Sequence, residues 1–184
     1  AAYIALAGFC LWSSRKHLAA AVRTAFGRAS MADSQEAFSY QFAVWGVIIG
    51  CAALLAFCLH ARMSLGVATA FLAGYLGVSI AVARIRAELG SPVHDLHKIG
   101  PEAVITEVVG PRRLGVQNLI MFAFFWSFNR AHRSHPMPNQ IEAMKLAAVT
   151  NTSQRGLAGA LTLATTIGLI CGWLMLLHMF FVHG

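Results

Sequence analysis

The sequence has few charged residues for its length. Aspartate and glutamate number 7, lysine and arginine 14, and charged side chains make up 11% of the 184 residues. A soluble domain usually carries about 25% charged residues. Hydrophobic residues make up 58% of the chain, which excludes an intrinsically disordered protein. Because so little polar surface cannot cover a water-soluble globule, the composition predicts an integral membrane protein.

Cysteine is also scarce. Cys10, Cys51, Cys58 and Cys171 all fall in apolar runs, and no two of them form a CxxC pair. Four cysteines in a chain of this length exclude a disulfide-stapled secreted module. Their spacing also gives no metal motif. We expect each of them to be a small buried apolar side chain.

The chain begins without an initiator methionine and without a basic segment. Residues 1–12 form an apolar run that as a helix is about 18 Å long, against about 30 Å of hydrocarbon. A secretory signal would have a basic start and a small-residue cleavage site. We therefore expect this run to be the tail of a truncated transmembrane helix, and the chain to be a fragment of a longer polytopic protein.

Three longer apolar runs follow, and each is long enough to cross a bilayer as a helix. They are Tyr40–Leu59, Leu65–Ala83 and Gly156–Val182. The short connection between the first two predicts an antiparallel helical hairpin. The predicted fold class is all-α: a polytopic membrane protein with three complete transmembrane helices, one partial helix and short interfacial or re-entrant helices.

The segment 115–128 is apolar but short, and the distribution of charge bears on its placement. If it does not cross the membrane, all lysines and arginines except Arg62 lie on one side. If it crosses, Arg130, Arg133, Lys145 and Arg155 move to the other side. Because such cations accumulate on the cytoplasmic side, the count favours a non-crossing interfacial or re-entrant helix.

These observations predict five regions. They are 1–12, the tail of a transmembrane helix; 13–39, a basic cytoplasmic juxtamembrane segment; 40–83, the hairpin; 84–155, a cytoplasmic or interfacial subdomain of short helices; and 156–184, the C-terminal transmembrane helix. The basic segment is expected to lie on anionic lipid headgroups. The location of this segment beside a membrane span explains its positive charge, so we predict no nucleic-acid partner. The other expected partners are the missing remainder of the chain and a second copy in a homo-oligomer.

Histidines and acids concentrate in residues 84–142, which hold four of the eight histidines and five of the seven acids. Imidazole and carboxylate groups bind Zn, Fe, Ni or Mn, and neutral histidine also relays protons. The spacings HDxH and HxxH are not specific, and they favour a solvated cytoplasmic loop whose histidines and arginines contact headgroups and helix ends over a metal site. The alternative metal site consists of His94, His97, His132 and His135. Because Lys98, Arg130 and Arg133 adjoin these histidines, they disfavour a divalent cation and suit an anionic headgroup or a substrate carboxylate. We therefore predict no metal and no cofactor.

Glycine and proline interrupt the same region. Gly90, Gly100 and Gly110 are each followed by proline within two residues, which predicts short helices with abrupt ends. Pro101 stands at the N1 position of one predicted helix, and Asn139 is the predicted N-cap of another. Short helices broken in this way are typical of transporter sites.

Two stretches of the region, RAELGSPVHDLHKIGPE and FFWSFNRAHRSHPMPNQIEAMKLA, resemble those of a family of uncharacterised bacterial multi-spanning membrane proteins with a domain of unknown function. That family is more distantly similar to the oligopeptide-transporter superfamily. The resemblance implies a multi-pass protein of the bacterial inner (cytoplasmic) membrane and secondary transport of peptides or metal chelates. It carries over no site residue.

We predict that the chain is part of a secondary transporter for a small polar or anionic solute. The alternatives are a membrane-embedded metalloenzyme that uses His94, Asp95, His97, His132 and His135, and a scaffold or accessory subunit without a site of its own. No catalytic residue is predicted, and no GxxxxGK[ST] loop for ATP occurs. The candidate substrate-binding residues are Glu88, His94, Asp95, Arg130, His132, His135 and Glu142.

Overall fold

The computed structural model describes residues 2–28, 36–90, 100–129 and 135–183. Within these ranges it contains eight α-helices and no β-strand, which confirms the all-α fold class. The helices are α1 (Ala2–Ser13), α2 (Arg15–Ala25), α3 (Tyr40–His60), α4 (Leu65–Leu89), α5 (Pro101–Val109), α6 (Pro111–Asn129), α7 (Pro136–Val149) and α8 (Gln154–His183).

Three of the helices are long and apolar enough to cross a membrane. They are α3, α4 and α8, and they coincide with the three predicted spans. The first helix, α1, is a shorter apolar helix of 12 residues. The chain therefore has the helices of a membrane protein.

One helix boundary agrees with the prediction and one differs. The helix that begins at Leu65 continues past the apolar run, which ends at Ala83, to Leu89, and Gly90, at φ 62°, ends it as the glycine–proline pattern predicts. At α7, the predicted N-cap Asn139 is wrong, since the helix already begins at Pro136. Proline is suited to the first position of a helix because its fixed φ is helical and its missing N–H needs no partner.

The chain divides into two compact units, and the division falls within α7. The first unit consists of Ala1–Met31 and Tyr40–Glu142, and the second of Ala32–Ser39 and Ala143–Gly184. In the first unit α4 is in contact with α1, α3 and α5. Its core joins the end of α3, the first half of α4 and α6. The buried residues of this core are Cys58, Met63, Ala68, Phe71, Leu114, Met121, Phe122 and Phe125.

Helix α6 runs alongside α4 in the same direction. Its Asn118 Oδ1 accepts the backbone N–H of Ser64 at 3.0 Å, at the start of α4. Two turns further along both helices, the ring of Phe125 stacks on that of Phe71 with centroids 4.7 Å apart. At Gly115, where φ is 76°, the backbone departs from helical geometry. The straight part of α6 therefore starts at the α3–α4 turn, the end of α4 opposite Arg84.

This packing bears on the predicted placement of residues 84–155. Gln117 Nε2 also donates to the carbonyl of Ala61 in the α3–α4 turn at 3.0 Å, so α5 and α6 form a hairpin whose tip reaches that turn. Arg112 and Arg113 adjoin Leu114, which belongs to the same buried cluster as Met63. The placement of residues 84–155 relative to the membrane stays a prediction.

The second unit contains the end of α7 and all of α8. A left-handed residue, Asn151 at φ 53°, ends α7, and the next N–H, of Thr152, donates to the Ala147 carbonyl at 2.9 Å. Most of α8 is exposed, Ala158 being its buried residue. Cys171 on α8 is accordingly exposed, so the expectation of four buried cysteines is wrong. In this structure Cys58 is the one that packs into a core.

Candidate functional site

His135 joins the start of α7 to the middle of α4. Its Nδ1 accepts the backbone N–H of Met137 at 3.2 Å, as an N-cap side chain does. Because Nδ1 serves as an acceptor, the neutral ring carries its hydrogen on Nε2, which lies 2.8 Å from Ser79 Oγ and donates to it. The Ser79 hydroxyl in turn donates to the Tyr75 carbonyl at 2.7 Å, and the Tyr75 ring stacks on His135 at 5.8 Å. Both ring nitrogens of His135 are thus engaged.

This histidine contact lies inside the apolar part of α4. The uncharged stretch Leu65–Ala83 is centred on Gly74, and Ser79 is five residues further on, about 7.5 Å along the helix axis. When α4 spans a bilayer, Ser79 and the ring of His135 therefore lie within the hydrocarbon layer. Polar groups at this depth are rare and usually mark a substrate or ion pathway.

Glu142 is held by an ion pair with α4. Nε and Nη2 of Arg86 approach its Oε2 at 2.8 and 2.7 Å. The spacing from Ser79 to Arg86 equals that from His135 to Glu142, so the first two turns of α7 run parallel to α4. Arg86 is 12% exposed and Glu142 49%. The pair therefore holds the first two turns of α7, up to Glu142, against α4 at the end of the apolar stretch.

The remaining candidate residues do not join this contact in the described part of the chain. Glu88 pairs with Arg84 one turn earlier on α4, and both side chains are more than half exposed. Such pairs contribute only about 0.3–0.5 kcal/mol. His94, Asp95, His97, Arg130 and His132 lie outside the described residues. The described ranges hold no group of three or more His, Cys, Asp or Glu side chains that could bind a metal, and the alternative metal site stays a prediction.

A second polar contact, between α5 and α6, was not predicted. The Nδ2 group of Asn129, at the end of α6, donates to Oε2 of Glu102, in the first turn of α5. Asn129 is 1% exposed and Glu102 9%. The Asn129 Oδ1 is also buried and accepts no hydrogen bond from the described residues.

Two glycines, Gly74 and Gly100, allow close approaches around Glu102 and the start of α5. A Cβ built on Gly74 would lie 2.7 Å from Pro101 Cβ, so α4 and the start of α5 meet at a position without a side chain. A Cβ on Gly100 would overlap the Glu102 carboxylate, which therefore folds back over its own N-cap residue. Glycine is needed at Gly74 because the rigid Pro101 ring occupies the space of a Cβ, whereas a Cβ at Gly100 would require the Glu102 carboxylate to move.

The chain matches one known protein family over its whole length. Residues 1–184 match the model of a family of unknown function, DUF6785. The chain belongs to the DUF6785 family. Comparisons with curated proteins and with solved structures gave no match. Membership confirms that the chain represents an uncharacterised family, and bacterial origin and similarity to oligopeptide transporters stay predictions.

Three residues of these contacts in the DUF6785 chain, Ser79, Asn129 and Glu102, were not predicted as site residues, and the sequence gives only weak signals for them. Ser79 is a polar residue within an apolar span, and Asn129 ends the most apolar stretch of the broken region. Glu102 stands out in the sequence only as a favourable charge at the positive end of α5. The contact between Glu102 and Asn129 depends on how α5 and α6 fold against α4, which spacing along the chain does not indicate.

Proposed function

We propose that this chain is part of a secondary transporter for a small polar or anionic solute, in the bacterial inner membrane. The observation that carries the proposal is the contact of His135 with Ser79 and Tyr75 at the middle of α4. His135 also caps α7, but burying a polar ring in hydrocarbon is costly, and histidines at this depth in membrane proteins commonly belong to a substrate or ion pathway.

The contact offers hydrogen-bond donors to an anionic solute. The Nε2–H of His135 and the hydroxyl of Ser79 are two donors within 2.8 Å of each other. A solute carboxylate can accept from both once the Ser79 hydroxyl turns away from the Tyr75 carbonyl. The ring of Tyr75 closes one side of this arrangement by stacking on His135.

Broken helices beside α4 support the same function. The helices α5 and α6 begin after Gly100 and Gly110, and α6 is interrupted again at Gly115. Discontinuous helices beside a spanning helix free backbone groups that line solute pathways in transporters. The metalloenzyme alternative draws no support from His135, because both of its ring nitrogens already have protein partners.

Uptake into proteoliposomes tests the proposal. The protein as its gene encodes it is reconstituted, and uptake of radiolabelled dipeptides, amino acids and dicarboxylates is measured under imposed proton and sodium gradients. Ser79→Ala is compared with Ser127→Ala, since both hydroxyls donate to a carbonyl of their own helix but only Ser79 also contacts a histidine.

We expect at least one solute to accumulate, with uptake reduced about tenfold or more in Ser79→Ala and unchanged in Ser127→Ala. Tenfold corresponds to about 1.4 kcal/mol, the size of one hydrogen bond. The absence of gradient-driven uptake of every solute class would refute the transporter. Equal uptake by both serine variants would show that the contact between His135 and Ser79 does not take part in transport.

A further inference from the structure

Two buried asparagines on α6 differ in how their amides are bonded. Asn118 uses both ends: Oδ1 accepts the Ser64 N–H at 3.0 Å, and Nδ2 donates to the Leu114 carbonyl at 2.6 Å. Asn129 uses only Nδ2, toward Glu102, and its buried Oδ1 has no partner among the described residues. Buried carbonyl oxygens rarely stay unpaired, and one without a protein partner is a candidate to bind a water molecule or an ion.

The neighbouring carboxylate also lacks a counter-ion within the described ranges. Glu102 is 9% exposed, and the ion pairs there that involve a glutamate on or near α4 belong to Glu88 and Glu142. A buried carboxylate is strongly destabilising unless a positive charge or several hydrogen bonds compensate for its lost hydration. The positive end of α5 and one donor from Asn129 offset part of this cost, and a cation beside the carboxylate would offset more of it.

We propose that Glu102 and Asn129 bind one monovalent alkali cation, Na⁺ or K⁺, through the Glu102 carboxylate and the Asn129 Oδ1. Hard cations take oxygen ligands of these two kinds. A single carboxylate neutralises a single positive charge, which favours a monovalent ion over Ca²⁺ or Mg²⁺. A half-turn of the amide turns Oδ1 toward Glu102 at unchanged shape.

The site lies at the depth where transporters hold their ions. Ser64 to Gly74 is about 15 Å along α4, and Asn118 to Asn129 is about 16 Å along α6. Since Asn118 is bonded to Ser64, Asn129 lies level with Gly74, the centre of the apolar stretch. A role of this ion as the coupling ion rests on the proposed function, whereas its binding does not.

Binding is measured on the purified protein in detergent, without any transport assay. The probes are ²²Na⁺ binding and the unfolding temperature in NaCl or KCl, with choline chloride keeping the ionic strength constant. Glu102→Gln and Asn129→Leu each remove one ligand oxygen. The matched control is Glu107→Gln, which removes an exposed carboxylate from the same helix α5.

We expect binding of about one ion per chain and a saturable rise in Tm of roughly 5 °C with one of the two cations. Glu107→Gln should keep this rise, and Glu102→Gln and Asn129→Leu should lose it. If either ligand variant does not fold, Gly100→Ala serves instead, because its Cβ displaces the carboxylate while leaving both ligands in the chain. It should weaken ion binding at least tenfold.

A Tm that is the same in NaCl, KCl and choline chloride would overturn the inference, as would a cation-dependent rise that Glu102→Gln retains. This failure is distinct from failure of the proposed function. Ion binding without uptake of any solute would support the cation site and contradict the transporter function. Uptake without ion binding would support the transporter function and contradict the cation site.

Discussion

The Asn118 side chain bonds to the backbone of Ser64, 54 positions earlier in the sequence, and so sets the level at which α6 lies beside α4. Its Nδ2 also reaches Ser64 Oγ at 3.3 Å and the Leu114 carbonyl at 2.6 Å. The amide therefore ties the α3–α4 turn, the start of α4 and the kinked start of α6 together. The buried contacts further along α6, including that of Asn129, depend on this level.

Replacing Asn118 by alanine should lower the free energy of unfolding by about 2 kcal/mol. The substitution leaves the Ser64 N–H without its partner in a partly buried place, and that loss is typically larger than the net gain from making the bond. Unfolding of the detergent-solubilised protein by increasing SDS measures the change. The control is Gln117→Ala, which removes an exposed bond to the Ala61 carbonyl and should cost less than half as much. Equal losses would contradict a special role for Asn118.

Two glycines of α4 should respond oppositely to alanine. In Gly77→Ala, in the interior of α4, the new Cβ meets no atom within 4 Å, so the variant should gain about 0.5–1 kcal/mol from helix propensity. In Gly74→Ala the Cβ would lie 2.7 Å from Pro101 Cβ, and the variant should lose about 1–3 kcal/mol through overpacking. The same SDS titration gives both values. A stabilised Gly74→Ala would show that α5 does not pack on α4 as described.

Truncating two neighbouring aromatic residues of α6 to alanine should change the free energy of unfolding by very different amounts. Phe125 is buried and stacks on Phe71, whereas Phe124 is 60% exposed. Phe125→Ala should lower the free energy of unfolding by about 2–3 kcal/mol, at the low end for buried aromatics because lipid solvates the unpacked ring. Phe124→Ala should change it by less than about 0.5 kcal/mol. Thermal unfolding followed by intrinsic fluorescence distinguishes the two, and similar Tm values would contradict the packing of α6 on α4.

The tip of the α5–α6 hairpin should be accessible from the same side of the membrane as the α3–α4 turn. Single cysteines are placed at Ser64, Arg112 and Glu88 in a background without the native cysteines. A membrane-impermeant thiol reagent should label Ser64→Cys and Arg112→Cys from one side and Glu88→Cys from the other, because Glu88 lies at the opposite end of α4. Labelling of Arg112→Cys together with Glu88→Cys would place the hairpin tip at the Arg84 end.

The sequence was sufficient to predict those features that depend on local properties of the chain. The spans starting at Tyr40 and Leu65 were predictable because a membrane requires a minimum length of uninterrupted apolar residues. The start of α5 at Pro101 was predictable because proline and the preceding glycine act within a few residues. These rules need no knowledge of how helices pack.

The contacts between distant segments were not predictable in the same way. Glu102 and Asn129 are 27 positions apart, and their meeting depends on the length of α5, the kink at Gly115 and the packing of both helices on α4. The start of α7 was misplaced at Asn139 for a related reason. His135 caps that helix while also contacting Ser79, and a single sequence does not reveal that second contact.

The ties of α4 to its neighbours also limit how the gene can change. Ser64 contacts α6, Gly74 contacts the start of α5, and Ser79 and Arg86 contact the first two turns of α7. One residue inserted between any two of them would rotate the rest of α4 by about 100° and shift it by about 1.5 Å. The side chains of α4 that follow the insertion would then no longer face their partner residues. Insertions and deletions between homologues should therefore be absent from residues 64–86, even where individual side chains have diverged.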